Sequence, residues 1–185
     1  MAGTSVVDEA ALIRRARGGD REAFGLLVSR HQASVYRVVR GILALGADCE
    51  DVTQEVFLKA HASLGKFRGD SGFFTWLYRI AVNEALRARR RRPWGTTESL
   101  PEVEAPPREE PDENGPSLAT LERLLRKLPD EFRSVVVLRD LEGMAYKDIA
   151  ETLGIPMGTV ESRLFRARQE LRGLWRKSKE AKNAL

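Results

Sequence analysis

Apolar positions along this chain recur every three to four residues, the spacing of an amphipathic helix, and rarely alternate as a half-buried strand would. The pattern stops once. Between Pro93 and Ser117, six of the eight prolines are interleaved with acids, glycines, serines and threonines, a composition that buries too little apolar surface to fold. The expectation is an all-α protein of two small helical domains, residues 1–92 and 118–185, joined over 93–117 by a flexible, acidic, proline-rich linker.

In the first domain a short amphipathic helix over Asp8–Arg17 closes at Gly18-Gly19. Asp20 is placed to cap a long helix with the stripe Phe24, Leu27, Val35, Val38 and Ile42, ended by Gly46. Asp48 then caps a third, with Val52, Val56, Ala60 and Leu64 inward, Asp51, Gln54 and Glu55 turned away, and Gly65 as its stop. After "KFRGDSG" comes a fourth that opens on aromatics and ends with five arginines in the six residues Arg87–Arg92.

The second domain starts with Ser117 as N-cap and the stripe Leu118, Leu121, Leu125 and Leu128, broken by Pro129. A helix over Asp130–Glu142 follows, stopped by Gly143. Next, "YKDIAETLGIPMGTVESRLFRARQEL" reads as two helices joined by a tight Gly-Ile-Pro turn, with Gly154 as left-handed exit and Pro156 entering the next first turn. That is the plan of a helix-turn-helix, whose second helix lies in a DNA major groove. On it Val160, Leu164, Ala167 and Leu171 point inward, while Ser162, Phe165, Arg166 and Gln169 face out with Thr159 at the edge. An exposed aromatic can touch a thymine methyl, serine and glutamine can bond base edges, and arginine can reach guanine or phosphate. A phenylalanine packed on a neighbouring helix amid solvated arginines is the plain alternative.

Charge sharpens this picture. The net +4 hides a segregation: seven acids against Arg108 alone give 93–117 a charge of −6, so the remainder carries +10. Such a basic body suits a polyanionic partner, nucleic acid first. The lone cysteine, Cys49, excludes an internal disulfide and a multi-thiolate metal site, and reads as a small core residue. His31 and His61 have no ligand cluster at metal spacing, and there is neither a phosphate loop nor a nucleophile elbow. No enzyme active site and no cofactor are therefore expected. Neither a signal peptide nor a membrane span is legible, which points to the cytoplasm without membrane insertion.

Two segments, "DVTQEVFLKAHASLGKFRGDSGFFTWLYRIAVNEAL" and "LPDEFRSVVVLRDLEGMAYKDIAETLGIPMGTVESRLFRAR", together closely resemble the extracytoplasmic-function (ECF) sigma factors of the bacterial sigma-70 family. The resemblance implies a protein that binds core RNA polymerase, directs it to promoters and helps separate the strands. It implies that 1–92 is sigma domain 2 and 118–185 sigma domain 4, with the linker spanning the polymerase between them. By the same likeness Asp51, Gln54 and Glu55 would dock on the clamp coiled coil. Phe67, Arg68, Asp70 and Ser71 match the loop that captures a minus-10 base, and Asn83 matches a residue reading another. Arg87, Arg90 and their neighbours would hold phosphates. Ser162, Phe165 and Arg166 match minus-35 contacts, with Arg139 in support. Glu161 departs from basic relatives and puts the promoter sequence in question. An anti-sigma factor is a further implied partner.

Two other readings stay open at the level of sequence. A helix-turn-helix regulator would bind duplex DNA without polymerase, and a helical adaptor would bind protein only.

Overall fold

The computed structural model describes residues 8–44, 48–91 and 116–183, and all regular structure among them is helical. Four helices make the first half: α1 (Glu9–Arg17), α2 (Arg21–Leu43), α3 (Cys49–Ser63) and α4 (Phe73–Arg91). The second half holds α5 (Leu118–Lys127), α6 (Asp130–Val136), α7 (Tyr146–Leu153) and α8 (Met157–Asn183). Gly46, Arg92, the linker up to residue 115 and the side chain of Leu118 lie outside the described residues.

Local chemistry accounts for most helix ends. Asp8, Asp20 and Ser117 each accept a backbone N–H of the first turn, from Ala10, Ala23 and Thr120. Asp48 precedes α3 but makes no such capping bond, in contrast to the sequence expectation. The polypeptide leaves α2 through Ala44, a non-glycine residue at φ +51° whose N–H donates to the Arg40 carbonyl at 2.7 Å. Gly65 does not stop α3 either; it lies inside a 3-10 turn, Leu64–Lys66, that prolongs the helix by one tighter winding. The helix expected over Asp130–Glu142 is α only to Val136 and continues as a π turn over Val137–Leu141.

α2 is the central element. On one side it packs against α1, α3 and α4, burying Leu27, Val35, Val38 and Ile42. His31, 8% exposed, meets Glu9 of α1 at 2.7 Å, and Cys49 is buried as expected. On its other side α2 meets α5, α6 and the π turn, while α4 meets α7, so a continuous apolar cluster runs through both halves. Gly41 permits the closest approach: a Cβ there would stand 2.8 Å from Cγ2 of Val137.

Polar groups close the seam. The Glu142 side chain, 3% exposed, accepts two bonds from Arg37, at 2.7 and 3.0 Å, and one from the Tyr78 hydroxyl at 2.7 Å. Arg40 pairs with Glu122 at 2.5 Å, Arg89 with Asp130 at 2.8 Å, and Arg79 donates to the Glu151 carbonyl at 2.6 Å. Burial first, and the Glu142 carboxylate second, push the Tyr78 phenol far above its ordinary pKa. Because the folded value exceeds the unfolded one, this contact's contribution is whole below pH ~10 and is lost as pH rises beyond it. Thermal stability should therefore fall more steeply above pH ~10 in the native chain than in Tyr78→Phe; parallel profiles would count against the contact.

Candidate nucleic-acid interface

Ile149 is fully buried under α7, with Ala150 and Leu153 packed on the cluster from partly buried positions. Gly154, at φ +65°, turns the chain, and the Ile155 N–H closes back on the Ala150 carbonyl at 3.0 Å. Pro156 offers its carbonyl to the N–H groups of Thr159 and Val160 at 2.9 and 3.2 Å and so starts α8. Val160, Leu164 and Ala167 are buried as predicted, and Leu171 is partly so.

The opposite face of α8 carries Ser162, Phe165, Arg166 and Gln169, all exposed, with Thr159 half-buried at its edge. Phe165 is 62% exposed, so the alternative in which its ring packs on a neighbouring helix does not hold among the described residues. Arg168, next to this face, is turned onto Asp140 with bonds of 3.1 and 2.5 Å, anchoring α8 to the π turn. Arg139 is employed internally. Its guanidinium donates to the Met144 carbonyl at 2.7 Å and lies 5.0 Å from the Tyr146 ring centroid, bracing the loop into α7.

In the first half, Gly69 at φ +81° folds back the loop between the 3-10 turn and α4. Arg68 and Asp70 are exposed on it, and Ser71 is half-buried. Phe67 is placed otherwise: 7% exposed, its ring lies 5.8 Å from that of Phe73 and 5.2 Å from that of Trp76. An aromatic cluster thus carries the loop, and Phe67 is not on its surface. Asn83, Arg87 and Arg90 are exposed along α4. Arg79 and Leu86, about one turn to either side of Asn83, both face the second half, Arg79 on the Glu151 carbonyl and Leu86 across a cleft of about 980 Å³ from Leu153.

Asp51, Gln54 and Glu55 are exposed on α3. Sequence reasoning missed Leu58, one turn on along the same face and 67% exposed. A leucine inside an otherwise polar stripe was the available signal. Lys59 ties this helix to α4 through Glu84 and reaches Glu55 at 3.1 Å.

The family profile for sigma-70 region 2 matches residues 27–95, and that for sigma-70 region 4 matches residues 118–171. The chain is 38% identical to the RNA polymerase sigma-H factor of Pseudomonas aeruginosa, over 86% of its own length and 90% of that protein. It is also 41% identical to the ECF RNA polymerase sigma-E factor of Haemophilus influenzae, again over 86% of its length and 90% of that protein. The chain belongs to the ECF sigma factors of the sigma-70 family. Among solved structures it superposes on CnrH in complex with the cytosolic domain of CnrY, with a TM-score of 0.72 and 30% identity, covering 91% of this chain and 97% of that one. The sigma factor RpoE of Bartonella quintana, in complex with the anti-sigma factor NepR, gives a TM-score of 0.66 at 25% identity, covering 83% and 96%.

A region 2 match in front of the helix-turn-helix disfavours both the polymerase-independent regulator and the adaptor. Among the described residues no helix of this sigma factor is long and apolar enough to cross a membrane.

Proposed function

We propose that this sigma factor works in the cytoplasm, without catalysing a reaction itself, by carrying core RNA polymerase to promoters that it reads at two places. α8 reads the minus-35 element through Ser162, Phe165, Arg166 and Gln169, with Thr159 at the rim. The 67–71 loop and α4 take the minus-10 element. Arg68, Asp70 and Ser71 line the base-capturing loop, Asn83 reads a further base, and Arg87 and Arg90 hold phosphates. Phe67 acts from below, as the aromatic support of that loop, and Arg139 as the brace of the helix-turn-helix. Melting costs unstacking energy, and trapping one extruded base in a loop offsets it while reading its identity.

Asp51, Gln54 and Glu55 dock on the clamp coiled coil of the polymerase, and Leu58 supplies the apolar centre that a polar stripe lacks. Residues 1–92 thus serve as sigma domain 2, 118–185 as sigma domain 4, and 93–117 as the connection. An anti-sigma factor is the expected regulatory partner, since the Bartonella relative is bound to one.

The carrying observation is a 62% exposed phenylalanine on an otherwise polar recognition face. Run-off transcription by core polymerase on linear duplexes with randomised upstream sequence tests the reading. Initiation should occur from templates sharing two spaced motifs, and Phe165→Ala should relax the upstream motif by about 1–3 kcal/mol of discrimination while polymerase binding persists. An unchanged ranking of templates would show that α8 does not read bases through this face.

A further inference from the structure

The region 4 match ends at Leu171, but α8 continues twelve residues beyond it, to Asn183. This extension carries Arg172, Arg176, Lys177, Lys179 and Lys182 against the single acid Glu180. Its orientation is fixed by packing. Leu171 and Leu174 lie against the apolar cluster, Trp175 is half-buried, and Ser178 accepts a bond from Arg123 of α5 at 3.4 Å.

With that side held inward, the outward direction is set. At 100° per residue Arg172 and Arg176 fall within about 20° of Phe165, and both are exposed. They continue the recognition face, about 10 and 16 Å further along the axis. A major groove is only about 12 Å wide. A straight helix whose Ser162–Gln169 segment lies in that groove must therefore leave it within the next two turns and cross the bordering sugar-phosphate strand. Two guanidinium groups stand on the side that meets it.

We infer that Arg172 and Arg176 form a phosphate clamp on the DNA strand bordering the minus-35 groove, a second DNA contact of α8 that adds affinity without reading sequence. The inference rests on the minus-35 reading above. Guanidinium suits it, because its planar fork of donors matches phosphate oxygens. Each phosphate neutralised releases condensed counterions, so the signature is a steeper salt dependence.

The test uses holoenzyme assembled from core polymerase and the full chain, binding duplexes that carry the minus-35 element over a range of salt. In Arg172→Gln/Arg176→Gln the slope of log affinity against log salt should fall by about 1.8, roughly 0.9 per lost phosphate contact. The ranking of minus-35 variants should stay as in the native chain. Lys177→Gln removes one charge from the same turn but about 100° from Arg176, so it should leave the slope unchanged. An unaltered slope in the double variant overturns the clamp, as does a fall of about 0.9 with Lys177→Gln, the same per charge removed, which would mark a diffuse charge effect. A changed base ranking overturns it too, since the arginines would then be reading bases. Phe165→Ala, run in parallel, separates the two layers. If it alters the ranking while the double variant leaves the slope intact, only the clamp fails; if it alters nothing, the minus-35 reading fails with it.

Discussion

Replacing Arg133 with methionine should lower the folding stability by on the order of 3–5 kcal/mol, the largest loss expected from any single substitution considered. The side chain is fully buried, yet its guanidinium has five acceptors. Three are carbonyls at the C-terminal end of α5: Leu125 at 2.6 Å, Arg126 at 2.9 Å and Leu128 at 2.5 Å. The others are the Ile42 carbonyl, in the last turn of α2, at 3.0 Å and the Asp130 carboxylate at 3.4 Å. Helix C-termini leave carbonyls without intrahelical partners and carry partial negative charge. A single buried cation answers both needs for two helices at once. Methionine nearly fills the volume, so the loss reflects missing hydrogen bonds rather than a cavity, above all at the Arg126 and Leu128 carbonyls, since Leu125 still accepts from the Leu128 N–H at 3.1 Å and Ile42 from Arg89 at 3.5 Å. Lysine keeps the charge but has three donors on a flexible stem, so it should recover part of the loss only. Urea unfolding gives the numbers, and a methionine variant within about 1 kcal/mol of the native chain would mean that water or neighbouring groups replace the guanidinium.

Helices and their inward stripes were legible in the sequence because burial on one face leaves a 3.6-residue period. The outward face of α8 was legible for the same reason, since Phe165 falls where no inward position exists. What the period could not show is which residue meets which across the chain. Phe67 reads as a loop residue beside arginine and glycine, and only the rings of Phe73 and Trp76, brought up by α4, turn it inward. Arg133 looks like one more surface cation, because the carbonyls that bury it leave no mark in side-chain pattern, and Ile42 is 91 residues away. The packing of the halves did leave a trace. Val135, Val136, Val137 and Leu138 are consecutive and all buried, and four successive apolar residues cover every side of a helix, the mark of an element enclosed all round. The π turn that starts at Val137 has no comparable signal.

Gly41→Ala should stabilise α2 and at the same time push the two halves apart, effects of opposite sign from one methyl group. Alanine in place of a helix-interior glycine favours the helix by roughly 0.5–1 kcal/mol. That methyl would stand 2.8 Å from one methyl carbon of Val137 and 3.0 Å from the other, and a branched, buried side chain has little freedom to withdraw. Relief comes most readily from movement of the π turn away from α2. Glu142→Ala attacks the same seam by charge. It takes away the carboxylate that accepts from the buried Tyr78 hydroxyl, which keeps Ser34 as a partner, at roughly 1–2 kcal/mol, and it leaves Arg37 with Ser34 and solvent, where the lost pairing counts for less because that side chain is 54% exposed. A weakening of 1–2 kcal/mol multiplies the open fraction about 5–30-fold. Spin labels at Ala62→Cys on α3 and Glu170→Cys on α8 would read the separation directly. The distance distribution should broaden toward longer values in each variant and furthest in the double variant, while helix content is unchanged. An unmoved distribution would mean that the remaining pairs, Arg40–Glu122, Arg89–Asp130 and Arg79 with Glu151, hold the seam without these two residues. Opening also bears on promoter reading. With Arg79 bonded to the Glu151 carbonyl of α7, and Leu86 lining the same cleft as Leu153, the α4 face around Asn83 has α7 as its neighbour where, in the proposed reading, a DNA strand would pass. If duplex must enter there, the opened variants should melt a minus-10 element at lower holoenzyme concentration than the native chain.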